Sequence, residues 1–281
     1  MLEKIVLGTA QFGMKYGVNS KAQISKKETF SILDYCLENK IDKLDTAPAY
    51  GNSEELIGEY SKLNNVSFKI SSKIDTKSKN ILESINESLD RLNTNKIDVF
   101  LFHSLQSFKS NKSQFIDHRD LKKYSNSYGI SLYTNEEVSE IINIDELRSI
   151  QIPFNLLDNL SLRGDLISLI KQKNKKLFFR SIFLQGLFFT PLEKIPSKLS
   201  RLKESIKKIN RISKKYNVPI LPIIISYVFS QKADGVLIGI DSKNHLKKII
   251  QSVDIIENEN LFKEIDLIKV ENPLDLDPRF W

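Results

Sequence analysis

Eight short apolar runs, each separated from the next by a longer stretch that mostly shows helical periodicity, constrain the fold of this 281-residue chain more than any other feature. Like β-strands in general, the runs are rich in β-branched and aromatic residues. They read KIVLGTA, IDKLDTA, FKISSKI, IDVFLFHS, YGISLYT, SIQIPFN, KLFFRSIF and DGVLIGI. Strands joined by helical crossovers run parallel, and no Pro- or Gly-rich boundary divides the chain. We therefore predict an α/β fold, a (β/α)8 TIM barrel that forms a single domain over residues 1–281.

A doubly wound open sheet is the alternative architecture. Its dinucleotide-binding form carries G-x-G-x-x-G after the first strand, where this chain has LGTAQFG. Helix-capping patterns open several of the spacers, as in Ser25 with Glu28 and Thr134 with Glu137. The barrel is the interpretation that accounts for all eight runs.

The cysteine and histidine content excludes two classes of protein. One cysteine, Cys36, rules out an internal disulfide framework, and three dispersed histidines leave no closed zinc site, so we expect no metal. Cys36 continues the apolar stripe of Ile32 and Leu33, which predicts a buried thiol.

No apolar stretch reaches the roughly 18 residues that a membrane-spanning helix needs, and MLEKIVLG lacks the layout of a secretory signal. We expect a cytoplasmic protein.

The formal charge of +7 raises the question of acidic partners. Its lysines are spread through segments such as KQKNKK and RLKESIKKINRISKK, which are typical of solvated helix faces. No basic stripe is interleaved with stacking aromatic residues, so neither nucleic acid nor membrane is an expected partner. A positive field around a cleft would instead attract a phosphorylated cofactor or an acidic substrate.

The chemistry of a barrel of this kind sits at the carboxyl ends of its strands. The second run ends at Asp45, with Tyr50 just beyond, the third ends near Lys73 and the fourth at His103. The later runs end at Ser131, at Gln151 or Asn155, and at Arg180 and Ser181. Four titratable residues of four types are therefore expected to converge on one pocket.

These segments resemble the aldo-keto reductase superfamily. The resemblance rests on LDTAPAYGNSEELIG, ISSKI, LFHS, GISLYT, QIPFNLLD and VLIGIDS, in this order, and runs from residue 7 to beyond Ser242. The D-T-A-x-x-Y-G-x-S-E pattern, with a lysine and a histidine at the next two strand ends, is specific. The resemblance implies that Asp45, Tyr50, Lys73 and His103 form the catalytic tetrad.

The four residue types suit the reduction of a carbonyl by hydride from a nicotinamide. Negative charge develops on the carbonyl oxygen and must receive a proton, which Tyr50 is placed to give. A free phenol has a pKa near 10, so we expect the Lys73 ammonium to lower it. Asp45 would keep Lys73 charged, and His103 would position the carbonyl oxygen. The small residues Ala47, Pro48 and Ala49 predict a tight turn that presents the Tyr50 hydroxyl.

The resemblance also implies contacts with the cofactor. Ser131 and Gln151 match positions that hold the nicotinamide carboxamide, and Gln11 lies on the ribose side. Arg180 stands where the family usually places an aromatic ring against the nicotinamide, and a guanidinium plane can stack there too. Four residues are expected along the pyrophosphate: Ser181, Phe183, Gln185 and Gly186.

The adenosine end departs further from the family pattern. Ser242, Lys243 and His245 are expected to bind a 2'-phosphate, but Gly239 stands where a first base is usual, and Lys248 with Ile249 replaces a Glu-Asn pair. We expect the cofactor to be NADPH, with NADH as the alternative.

The substrate is less constrained. Phe12, Tyr16, Tyr133 and the tail DPRFW are expected at the pocket rim, and aromatic walls suit sugars and aromatic aldehydes equally. Only 25 residues lie between His103 and Gly129, short for a full helix there. A more open pocket and simple loop trimming explain that shortness equally well.

Three functions follow. The first is an NADP-dependent reductase of a small aldehyde, ketone or sugar carbonyl, in a monomer or weak homo-oligomer. The second is a regulatory protein that binds the nicotinamide cofactor with little turnover. A barrel hydrolase or lyase is the third, weakened because no second carboxylate faces Asp45 from a strand end.

Overall fold

A computed structural model describes residues 1–18, 20, 22–74, 80–117, 119–253, 256 and 258–281. Eight parallel strands pair in sequence order, and β1 pairs with β8 to close the barrel. The strands are β1 (Ile5–Gly8), β2 (Lys43–Asp45), β3 (Lys69–Ile74), β4 (Ile97–Phe102), β5 (Ser125–Ser131), β6 (Leu147–Pro153), β7 (Lys176–Arg180) and β8 (Gly235–Gly239). The predicted (β/α)8 barrel is confirmed.

Helices connect the strands and surround the barrel. They are α1 (Ala10–Gly13), α2 (Lys26–Glu38), α3 (Ser53–Asn64), α4 (Ile81–Arg91), α5 (Leu105–Asp117), α6 (Asn135–Ile141), α7 (Leu160–Gln172), α8 (Lys203–Tyr216), α9 (Ile220–Ser230), α10 (Lys243–Gln251) and α11 (Glu259–Asp266). Short 3-10 helices lie at Leu2–Lys4, Arg119–Lys123, Leu184–Phe189, Leu192–Lys194, Ser197–Leu202, Pro273–Leu276 and Pro278–Phe280. Within the described ranges, no helix is both long and apolar enough to span a membrane.

Two predicted helix starts are confirmed by their caps. The Ser25 hydroxyl accepts the backbone N–H of Glu28 at 3.2 Å. Thr134 and Glu137 form a full capping box, in which each side chain accepts the other residue's backbone N–H, at 3.2 and 3.1 Å. These bonds satisfy N–H groups that a helix cannot pair within itself.

Apolar packing between strands and helices forms the core. Phe102 of β4 is fully buried, with its ring 5.2 Å from that of Phe108 and 5.1 Å from that of Phe115, both on α5. The segment between His103 and Gly129 thus holds a 13-residue helix, and the expectation that it is too short for one was wrong. Cys36 is a fully buried free thiol on α2, as predicted.

The strand register brings the predicted site residues to one rim. Asp45 pairs with Ser71, Lys73 with Leu101, and Ser131 with Gln151. Because all strands are parallel, these residues lie at the carboxyl-terminal half of the barrel.

Candidate active site

A tight turn after β2 carries Tyr50 into the site. The backbone N–H of Tyr50 donates to the carbonyl of Ala47 at 3.0 Å, and Ser53 N–H donates to the Tyr50 carbonyl at 3.1 Å. Gly51 has a φ of +56°, and a Cβ at that position would lie 2.2 Å from the Gly13 carbonyl oxygen. The turn therefore requires glycine at position 51.

The last two residues of the motif hold this turn against the barrel. Ser53 is fully buried, and its hydroxyl lies 2.8 Å from Thr9 Oγ1 and 3.1 Å from Thr46 Oγ1. Glu54 is also fully buried, bonded to the Ser72 hydroxyl and 2.8 Å from Nε of Arg91. Ser72 directly precedes Lys73 in β3. The hydrogen bond between Glu54 and Ser72 therefore ties the start of α3 to the strand that carries the lysine.

Asp45 and Lys73 form a buried ion pair. Lys73 Nζ lies 2.6 Å from Asp45 Oδ1, and the two side chains are 1% and 3% exposed. The ammonium also donates to the Thr46 carbonyl at 3.0 Å. The other Asp45 oxygen accepts from Gln151 Nε2 at 2.9 Å, and Gln151 Oε1 accepts from the Ser131 hydroxyl at 3.0 Å. A hydrogen-bonded chain thus links the predicted catalytic pair to the predicted carboxamide residues.

Tyr50 and His103 complete the predicted set. Their rings meet edge to face, with centroids 6.3 Å apart and planes at 87°. Lys73 Nζ lies 5.8 Å from the centre of the Tyr50 ring. Asp45, Tyr50, Lys73 and His103 all line one cleft of about 720 Å³. The structure therefore brings the four residues together.

Burial dominates the acid–base properties of the cleft. It raises the pKa of Tyr50 well above the usual 10.0, with a further increase from the Asp45 charge and a decrease from Arg180. It lowers the pKa of Lys73, which Asp45 opposes. The expected net decrease of the Tyr50 pKa is wrong for this structure, because the loss of hydration outweighs the effect of the Arg180 charge. Tyr50 is held as a neutral phenol, the form that can donate a proton.

Arg180 spans the cleft from the end of β7 to the end of β5. Its guanidinium lies 3.8 Å from the centre of the Tyr133 ring, and Arg279 covers the other face of that ring at 3.9 Å. Arg180 also donates to the Ser131 hydroxyl at 3.2 Å and to the Leu132 carbonyl at 3.0 Å. Tyr133 therefore already covers one face of the Arg180 guanidinium, the group that was expected to stack on a nicotinamide.

The loop after β7 lines the cleft through the four residues expected along a pyrophosphate, which are Ser181, Phe183, Gln185 and Gly186. Its backbone is unusual, since Ser181, Leu184 and Gln185 have φ values of +56°, +45° and +53°. Such conformations cost energy in residues other than glycine and are concentrated at functional sites. The Gln185 carbonyl accepts the backbone N–H of Val18 at 2.9 Å, which fixes the loop over the first connection.

At the adenosine end, the three residues expected to bind a 2'-phosphate are engaged elsewhere. The Ser242 hydroxyl caps α10 by accepting the N–H of His245 at 3.2 Å. Lys243 Nζ lies 5.2 Å from the centre of the Tyr35 ring, and His245 Nδ1 lies 2.6 Å from Asp241. Of the three, only His245 lines the cleft; Gly239, Gln11 and Lys248 line it as well.

Two carboxylates near α10 were not predicted. Asp241 lines the cleft, and Glu28 accepts the backbone N–H of Lys243 at 2.7 Å. The acidic residue in GIDS is a sequence signal for the first. Nothing in the sequence indicates the second, because Glu28 was assigned only to its own helix start.

The rim of the cleft agrees in part with expectation. Tyr16, Tyr133 and, from the DPRFW tail, Arg279 line it. Phe12 does not, because its side chain is fully buried in the core. Gln151, rather than Asn155, faces the cleft; the Asn155 side chain caps the turn after β6 through the N–H groups of Leu157 and Asp158.

The comparisons with known proteins agree with this fold. The model of the aldo/keto reductase family matches residues 4–269. The chain belongs to the aldo/keto reductase family. It is thus an oxidoreductase of a family that uses nicotinamide cofactors, as the sequence resemblance implied.

Solved structures show the same fold at low identity. The aldo-keto reductase AKR11C1 from Bacillus halodurans, in its holo form, is 17% identical with a TM-score of 0.71, covering 94% of this chain and 91% of its own. A putative aldo-keto reductase from Pseudomonas aeruginosa is 20% identical with a TM-score of 0.65, covering 89% of both chains. An aldo-keto reductase from a Medee basin deep-sea metagenome library, MGS-M4, is 17% identical with a TM-score of 0.69, covering 97% and 92%. No curated protein matches the chain significantly.

The cleft fits a nicotinamide dinucleotide. It is lined by residues from β2, β3 and the ends of β5 to β8, and it reaches the start of α10. Gly239 adds no side chain to this end of the cleft, where it lies beside the Gln11 amide. No cluster of residues suited to a metal ion occurs among those that the structure describes.

Proposed function

We propose that the protein reduces the carbonyl of a small aldehyde, ketone or sugar to an alcohol, with Tyr50 as the general acid. The observation that supports this most is the convergence of Tyr50, His103 and the buried Lys73–Asp45 pair on one cleft. A bound nicotinamide would supply the hydride in this reaction.

The four residues have separate tasks in this proposal. Tyr50 gives its proton to the carbonyl oxygen as negative charge develops there, and His103 orients that oxygen. Lys73 stabilises the phenolate that remains. Asp45 keeps Lys73 charged inside a buried site and holds the Gln151 amide.

The proposed cofactor contacts follow the cleft. Ser131 and Gln151 would hold the carboxamide, with Arg180 against the nicotinamide side and Gln11 near the ribose. The loop of Ser181, Phe183, Gln185 and Gly186 would carry the pyrophosphate. The start of α10, with Gly239, Ser242, Lys243 and His245, would receive the adenosine end.

For the cofactor we propose NADPH, on the basis of Lys248 in the cleft and the basic start of α10. NADH is the second candidate, and a specific observation favours it. Asp241 and Glu28 place two carboxylates at this end, and Glu28 already occupies the helix N–H that an anion would bind. We further propose a cytoplasmic protein that is monomeric or weakly associating.

One experiment tests the function. The wild-type protein should oxidise NADPH in the presence of 4-nitrobenzaldehyde, whereas Tyr50→Phe should lose most of kcat, on the order of 100-fold or more, because it lacks the proton donor. The dissociation constants of NADPH and NADH, measured by fluorescence titration, should be nearly unchanged in the variant. Cofactor binding without turnover by the wild type would support the regulatory alternative, and tighter binding of NADH would reject NADPH.

A further inference from the structure

The Arg180 guanidinium is a cation inside the cleft that forms no ion pair with the residues that the structure describes. Among the described residues, no carboxylate oxygen lies within 4.0 Å of it. Its hydrogen bonds go to neutral acceptors, namely the Ser131 hydroxyl, the Ser181 hydroxyl and the Leu132 carbonyl. A guanidinium has five N–H donors, so these bonds leave two that can meet another group in the cleft.

The neighbouring arginines differ from Arg180 in this respect. Arg163 is paired with Asp158 at 2.5 Å, and Arg279 is paired with Asp277 at 2.6 Å. Asp45 also lines the cleft, but its carboxylate forms an ion pair with Lys73. A charge that is partly removed from water is stabilised by an opposite charge, and no carboxylate of the described residues forms an ion pair with Arg180.

Arg180 is also held in place. Tyr133 covers one face of its guanidinium plane, and the bonds to Ser131 and Leu132 fix the group on the β5 side. A fixed guanidinium is well suited to bind carboxylate or phosphate oxygens through two parallel N–H donors. The Tyr16 side chain lines the same cleft and adds an aromatic wall.

We propose, building on the reductase function above, that Arg180 binds an acidic group on the substrate, so that the enzyme prefers carbonyl compounds that carry a carboxylate or a phosphate. This assigns Arg180 a role in substrate selection that an aromatic ring at the same position could not fill. The Arg180 charge also acts on the reacting phenol, because it lowers the pKa of Tyr50 against the opposing effect of burial.

The competing explanation is that Arg180 serves the cofactor alone. In that case, replacing it should weaken dinucleotide binding and affect all aldehydes equally. If it selects the substrate, replacement should instead change the ratio between acidic and neutral aldehydes of the same shape.

The test uses 4-carboxybenzaldehyde and 4-nitrobenzaldehyde, which are nearly isosteric and differ in charge. The quantity measured is the ratio of their kcat/KM values in the wild type, Arg180→Gln, Arg180→Lys and Arg279→Gln. A charge-assisted hydrogen bond contributes enough that Arg180→Gln should lower this ratio roughly 10- to 100-fold, mainly through the KM of the acidic aldehyde. Arg180→Lys should recover part of the loss. A second pair of substrates, glyceraldehyde 3-phosphate and glyceraldehyde, tests a phosphate group in the same way. The pair whose kcat/KM ratio falls more in Arg180→Gln identifies the preferred acidic group.

Three results would overturn the proposal. These are an unchanged ratio in Arg180→Gln, a uniform loss explained by a higher dissociation constant for the cofactor, and an equal fall in Arg279→Gln, which would show only a general positive field. Should the wild type reduce neither aldehyde, the reductase function fails separately. Calorimetric binding of the two aldehydes to the wild type and Arg180→Gln then decides the subsite, since an Arg180-dependent preference for the acidic aldehyde would uphold it and equal binding would reject it.

Discussion

Asp45 is bonded through both carboxylate oxygens, one to Lys73 and the other to Gln151. The aspartate is almost fully buried, so its charge is tolerated only because the ammonium lies beside it. The same residue therefore sets the charge of the lysine and the position of an amide on the far side of the barrel.

This dual role predicts a specific pattern of stabilities. Asp45→Asn leaves a buried ammonium without its counterion and should lower the free energy of unfolding by about 3–5 kcal/mol. Lys73→Met should also be destabilising, because it leaves the carboxylate unpaired. The double variant should lose less than the sum of the two, while all three lack reductase activity. Urea unfolding measures the stabilities, and additive losses would show that the pair is not coupled.

The convergence of the four candidate residues on one cleft could be predicted from the sequence, because each lies at or just beyond the end of a strand and strand order decides which ends meet. The bonds among them could not. Gln151 and Asp45 are 106 positions apart, and their contact depends on side-chain conformations that no local pattern encodes. Phe12 was misplaced for a related reason, since the short helix α1 turns its ring into the core rather than toward the rim.

At the scale of elements, the Tyr50 turn depends on its contact with α1. A Cβ at Gly13 would lie 1.6 Å from the Tyr50 carbonyl oxygen and 2.7 Å from the Ser53 backbone nitrogen. Backbone on both sides leaves no flexible group to move aside. The turn and the helix start that follows it are thus fixed by close approach of two backbone segments.

We predict that Gly13→Ala displaces this turn. Misplacement of a catalytic group by about 1 Å can cost on the order of 100-fold in rate, so kcat/KM should fall by about that factor, with a lower Tm. Gly164→Ala is the matched control, because a Cβ there meets nothing within 4 Å and the residue lies inside helix α7. That substitution should stabilise the protein by roughly 0.5–1 kcal/mol and leave kcat/KM unchanged. Equal effects of the two substitutions would contradict this account.

The elements themselves were largely predictable. The apolar runs between helical stretches predicted all eight strands, and the capping pairs predicted the starts of α2 and α6. The helix between His103 and Gly129 was missed because its length was judged from the number of residues alone. Its apolar spacing, with Phe108 and Phe115 buried against β4, carries the helical signal.

For the molecule as a whole, the buried thiol of Cys36 makes stability depend on pH. Burial raises the pKa of Cys36 from 9.0 to about 12. The folded state then holds a proton that the unfolded state releases above about pH 9. Linkage requires the free energy of unfolding to fall as the pH rises from about 9 toward 12.

Cys36→Ala should remove this contribution. At pH 8 the variant is expected to be less stable than the wild type because it leaves a small cavity. By pH 10 the gap should narrow by about 1.4 kcal/mol, the value that follows from one pKa unit of proton release. Urea unfolding at pH 8, 9 and 10 measures the gap, and a constant difference would contradict the buried thiol.

Closure of the barrel has a consequence for biosynthesis. Ile5 of β1 pairs with Val236 of β8, so one edge of the first strand stays open until more than two hundred further residues have left the ribosome. At roughly 5–20 residues per second this takes on the order of ten seconds or longer. An open strand edge can pair with another nascent chain. The yield of folded enzyme in cells is therefore expected to depend on the rate of barrel closure relative to the rate of aggregation. It does not depend on the stability of the folded protein alone.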